Sequence, residues 1–122
     1  MKSNLTLALS LAMLLISASS MAASEPLSVE LNNPAYLSIV KAHFASLNQP
    51  ILLVKKAPAE NYARIIVTQD FSFGASCKFD ISSQKDGMEA QLTASRSNSF
   101  VFPSNKLAYC QKALADVLVE SF

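Results

Sequence analysis

The sequence predicts an α+β fold: an antiparallel β-meander of four to five strands, flanked by an N-terminal and a C-terminal helix packed on one face and tied by one disulfide. Three features point there. Through the middle of the chain apolar and polar residues alternate, as in strands with one wet face. On either side of that stretch, apolar residues recur every three or four positions, the stripe of a surface helix. The chain has two cysteines, one on each pattern.

The 122-residue chain opens on a segment that is read as processing signal rather than fold. Lys2 supplies a positive end, Leu5–Ile16 an apolar core, and residues 17–22 a small-residue tail. Ser20 and Ala22 occupy the two small positions that a signal peptidase needs, which places cleavage after Ala22. The apolar core, about 12 residues long, is too short to span roughly 30 Å of hydrocarbon. No cysteine stands near the cleavage point for lipid attachment. Residues 1–22 are therefore expected to be a signal peptide and 23–122 a single small domain. The short leader reads as bacterial, hence periplasmic or secreted.

The elements of the remainder follow from local pattern. Leu27, Val29 and Leu31 alternate as a short strand. Asn33-Pro34 opens a helix, with Asn33 as cap and Pro34 where an N–H would be unpaired anyway. Leu37, Val40, Phe44 and Leu47 form its stripe, and Asn48-Gln49-Pro50 stops it. Ile51–Val54 reads as a buried strand, and residues 55–61 as a polar connection. From Ala63 the odd positions are apolar through Ile65, Val67, Phe71, Phe73, Ala75, Cys77, Phe79 and Ile81. Gly74 marks a turn or sharp bend. Asp86-Gly87 is a strong hairpin signal, because both residues tolerate the positive φ of twist-matched turns. Met88, Ala90, Leu92 and Ala94 are expected to face inward. Arg96-Ser97-Asn98 reads as loop and Ser99–Phe102 as a closing strand, with Phe71, Phe73, Phe100 and Phe102 in the core. Pro103-Ser104 starts the last helix, whose stripe runs Leu107, Cys110, Leu114, Val117, Leu118.

Cys77 and Cys110 thus lie on the two surfaces predicted to pack together. Paired cysteines are the rule in exported chains, and closing this loop stabilises a fold by roughly 3–4 kcal/mol in the loop-entropy model. A redox pair would instead favour a Cys-x-x-Cys spacing.

Composition excludes several functions. Removing residues 1–22 takes only Lys2, leaving nine Lys+Arg against nine Asp+Glu. A neutral chain without a basic cluster does not fit nucleic-acid binding. The whole chain has two glycines, Gly74 and Gly87, too few for a phosphate loop. One histidine, two paired cysteines and scattered acids provide no metal-ligand spacing, and no cofactor is expected. His43 is read as a half-buried or rim residue of the first helix; as a general base it would need a nucleophile and an orienting acid, with Asp70 or Asp80 available. The two aspartates are also the one candidate pair for paired-carboxylate chemistry, should a hairpin bring them together. Neither arrangement is predicted to be catalytic, and the chain is expected not to be an enzyme.

Recognition of another exported protein remains as the leading reading, in the manner of an inhibitor or immunity-type protein. Lys55, Lys56, Tyr62 and Arg64 form a basic-aromatic group on or near the wet face, and of these Tyr and Arg are the residue types most enriched at binding hot spots. Arg96 is a second candidate. The alternative is a carrier of a small apolar or amphipathic ligand between helices and sheet, with Ala63, Ala75, Ala90 and Ala94 leaving room for it. Gln69, which interrupts the odd-position run, is either a strand-rim or bulge residue or a polar group in such a pocket.

Overall fold

The computed structural model describes residues 25–122, so the predicted signal peptide lies outside the described residues. Five strands and two helices follow one another. They are β1 (Leu27–Leu31), α1 (Leu37–Ser46), β2 (Ile51–Val54), β3 (Tyr62–Asp70), β4 (Ala75–Lys85), β5 (Met88–Asn98) and α2 (Lys106–Ser121). Single 3-10 turns at Pro34–Tyr36 and Pro103–Asn105 lead into the helices. The strands form one sheet in the order β2-β1-β3-β4-β5. The fold is α+β with a mostly antiparallel sheet.

The antiparallel part is the long alternating stretch, β3 to β5. Val67 pairs with Phe79 and Phe79 with Ala94, so the odd positions of β3 and β4 share one face with the even positions of β5. Asp86 and Gly87 both have positive φ, 55° and 78°, as the tight β4–β5 turn demands. Alternation alone did not reveal how β1 and β2 join. β1 runs parallel to both β2 and β3, with Val29 opposite Leu53 and Ala63. The parallel β1–β2 pair follows from the intervening α1: a helix carries the chain back across the sheet before the next strand begins.

Both helices cover the face that carries the odd positions of β3 and β4. Val29, Ile65, Phe79, Val40, Leu114 and Leu118 meet there with essentially no exposure. Tyr36 is equally buried, a member of the core that the α1 stripe did not include. Its hydroxyl donates to Gln69 Oε1 at 2.6 Å, and burial raises its pKa. The disulfide joins β4 to α2, with Cys77 and Cys110 Cα atoms 5.9 Å apart and both residues buried.

Several local expectations need correction. Ile51–Val54 is an edge strand, not a buried one, and Leu52 and Leu53 are 56% and 44% exposed. Arg96-Ser97-Asn98 completes β5, paired with Cys77, Ser76 and Ala75. Residues 99–102 form no strand, because the neighbouring β3–β4 turn ends the ladder at Ala75. Phe71 is partly buried, but Phe73, Phe100 and Phe102 lie past the last rung and are exposed. Met88 and Ala90 keep the inward parity yet are exposed. Helix α2 begins after its 3-10 turn, without the side-chain cap expected of Ser104.

A basic cleft on the open sheet face

Four of the five nominated binding residues converge. Lys55, Lys56, Tyr62 and Arg64 line one cleft of about 450 Å³ with Glu30 and Pro58. The even parity of β1 and β3 puts Glu30 beside Arg64 in the parallel register, on the face that the helices leave open. Glu30 Oε2 accepts from Arg64 Nε at 2.9 Å, while Oε1 accepts from the Ala57 amide at 2.7 Å. One carboxylate therefore orients the guanidinium and fastens the 55–61 loop over the sheet.

The far end of that loop is pinned as well. Asn61, at φ 53°, sits in the left-handed region that asparagine tolerates. Its amide donates to Gln84 Oε1 at 2.8 Å, and its Nδ2 to the Pro26 carbonyl at 3.2 Å. Its own carbonyl accepts from the Ser28 amide. Lys55 and Lys56 are exposed and make no ion pair among the described residues. The cleft thus holds three cations against one acid. The Arg64 side chain is 54% exposed and that of Glu30 15% exposed. A pair this open is worth at most about 1 kcal/mol of stability. Its consequence is orientation: Glu30 holds Nε, and the two terminal nitrogens make no hydrogen bond among the described residues, which leaves donors for a carboxylate.

Arg96, the fifth nominee, is elsewhere. It shares the helix-covered parity with Cys77, its register partner, and approaches Glu120 of α2 at 3.7 Å. Asp70 and Asp80 are not brought together either. Asp80 pairs in register with Ile66, four residues up β3 from Asp70, about 14 Å along a strand. Asp80 accepts from Thr93 Oγ1 at 2.9 Å. Asp70 accepts from the Ser72 side chain and amide, bonds that, with nearby Lys106, hold its carboxyl below the usual range. His43 lies in the helix layer against Phe44 and Phe122, and the sheet separates it from Asp80. Gln69 continues a regular ladder opposite Cys77, so it is a strand-rim residue without a bulge. Among the described residues, no three His, Cys, Asp or Glu side chains gather as a metal site. No described helix is long and apolar enough to cross a membrane.

Sequence reasoning missed Glu30, which orders the cleft. Its signal was present: an acid on the outward parity of a strand at the required two-residue alternation. Only the unforeseen parallel pairing of β1 with β3 brings it next to Arg64.

A second hollow, an apolar groove of about 270 Å³, opens where α1 and α2 end, lined by Leu27, Phe44, Leu47 and Phe122. It falls just under the roughly 300–1,000 Å³ of small-molecule pockets. Ala63 and Ala75, expected to leave space, are instead packed in the core with no exposure.

No protein-family model matches the chain, and no curated protein matches it in sequence. Among solved structures, the crystal structure of a minor lipoprotein from Acinetobacter baumannii is weakly similar. It shares 13% identity over 79% of this chain and 81% of that one, at a TM-score of 0.33.

Proposed function

We propose that this chain is a small exported protein-binding domain of inhibitor or immunity type, non-enzymatic, that docks an acidic segment of another exported protein in the Lys55–Arg64 cleft. Export rests on the N-terminal segment read above and on a buried disulfide, a bond that persists in oxidising compartments. The single observation that carries the docking surface is the convergence of three cations and Tyr62 around Glu30. An excess of positive charge in a polar cleft steers acidic partners and fixes their register. Tyr62 adds a rigid ring with a polar tip.

The test is charge reversal. Protein immobilised from a periplasmic preparation should capture a partner saturably. Arg64→Glu with Lys56→Glu should weaken that capture at least tenfold while the chain stays folded, the melting temperature falling by no more than about 10 °C for the lost Glu30 pair. Capture that survives the double reversal, or a saturable partner that cannot be found at all, would remove this reading.

A further inference from the structure

Three phenylalanines stand almost bare at one end of the sheet. Phe73, in the β3–β4 turn, is 90% exposed; Phe100 and Phe102, beyond β5, are 94% and 74% exposed. The two segments touch. Gly74, at φ 60°, lies so close to the backbone of Asn98 and Ser99 that a Cβ there would collide with both. Lys106, at the start of α2, joins the same end through a 2.6 Å bond to the Phe71 carbonyl. One exposed aromatic is ordinary; three on adjacent tips form a patch that marks an interaction site.

Charge tells what kind. Residues 71–76 and 97–105 contain no Asp, Glu, Lys or Arg. Immediately behind them stand Lys78 and Arg96 on the sheet and Lys106 at the start of α2, while Asp70, opposite Ser76, is the acid at the end of β3. Glu120 also approaches Arg96, from farther along α2. Tip amides are in part satisfied internally: Phe100 N–H by Asn98 Oδ1, Ser72 N–H by Asp70, and Asn105 N–H by the Phe102 carbonyl. Uncharged tips with internally bonded amides are what a low-dielectric medium tolerates. A collar of cations complements a negative surface potential.

We propose that the Phe73–Phe100–Phe102 tip is a membrane-surface anchor that inserts its aromatic rings into an anionic bilayer, with Lys78, Arg96 and Lys106 at headgroup level. A protein partner fits less well. Hot spots favour Trp, Tyr and Arg seated in packed pockets, whereas these three are phenylalanines, each at least 74% exposed, with no polar group to pair. Apolar rings buried at the headgroup–acyl boundary under a basic rim are the features of interfacial binding. This surface is independent of the basic cleft.

Vesicle sedimentation tests it, with the disulfide intact. The protein should partition onto phosphatidylglycerol–phosphatidylcholine vesicles and less onto phosphatidylcholine alone. Phe73→Ser with Phe100→Ser should reduce partitioning at least tenfold at an unchanged circular dichroism spectrum and melting temperature. Comparing variants within one preparation cancels any contribution of the N-terminal apolar run. The chain has no Trp, so Phe100→Trp supplies a unique fluorophore whose emission should shift to the blue on vesicle binding. Absence of partitioning, equal partitioning of the serine variant, or unshifted emission would overturn the anchor. So would a dimer in sedimentation velocity that Phe100→Ser dissolves, since the tip would then be a self-association surface.

Discussion

His43 is a residue whose surroundings oppose its charge. Its ring centroid lies 5.4 Å from that of Phe44 and 6.1 Å from that of Phe122, and its Nε2 is buried with no hydrogen-bond partner among the described residues. Desolvation lowers its pKa below the ordinary 6.5. In the unfolded chain the imidazole protonates at the ordinary value, so between the two pKa values the unfolded state binds more protons. Stability therefore rises with pH through that window. The contribution is fully present above 6.5 and is lost as pH falls toward the lowered folded value. Urea midpoints measured from pH 7.5 to 5 should fall on acidification, and His43→Leu should flatten that slope. Asp70, whose pKa is also lowered, acts in a separate window. Its contribution is present above the ordinary carboxylate value of 3.8 and lost only at more acidic pH. A wild-type midpoint that does not change between pH 7.5 and 5 would contradict this account of His43.

At the scale of elements, the disulfide and the β3–β4 turn hold the helix layer and the strands in register. Cys77 and Cys110 are both buried, so Cys77→Ala with Cys110→Ala removes the cross-link and leaves small apolar side chains behind. Removing a native disulfide from a small domain costs roughly 2–5 kcal/mol, and guanidinium unfolding should show a loss in that range. Gly74 is constrained twice, by φ 60° and by the backbone of Asn98 and Ser99. Gly74→Ala should therefore cost about 2–3 kcal/mol, more than the bare strain of a non-glycine residue at positive φ. Gly87 is also at positive φ, 78°, but has nothing within 4 Å of an added Cβ. Gly87→Ala should consequently destabilise less, and thermal melts of the two variants should rank them in that order. Equal losses would show that the backbone contact at Gly74 has no energetic weight.

For the whole molecule, period-two alternation made β3, β4 and their wet face legible, and the packing of the cysteine-bearing surfaces followed from parity. Strand direction was not legible, because Leu27–Leu31 and Ile51–Val54 carry no mark of the parallel pairing that α1 imposes. For the same reason Lys55, Lys56, Tyr62 and Arg64 could be nominated from residue type, whereas Glu30 could not. The Phe100 and Phe102 side chains were misassigned since alternation persists past the point where the ladder ends. The resulting architecture sets the two proposed surfaces apart. Arg64 and Asp70 are six residues apart on β3, or about 20 Å at strand rise. The cleft occupies the open face, while the phenylalanines project from the sheet end beyond Asp70. Sites this distant with no shared partner act additively. Arg64→Glu with Lys56→Glu should weaken partner capture at least tenfold and leave vesicle partitioning within twofold of wild type, since neither residue belongs to the collar. Phe73→Ser with Phe100→Ser should do the reverse. A variant combining all four changes should lose both activities by the product of the separate factors, measured by capture and sedimentation on the same preparations. Loss of vesicle binding in the charge-reversal variant would instead mean that membrane attraction is spread over the whole basic surface, and that the two surfaces act as one.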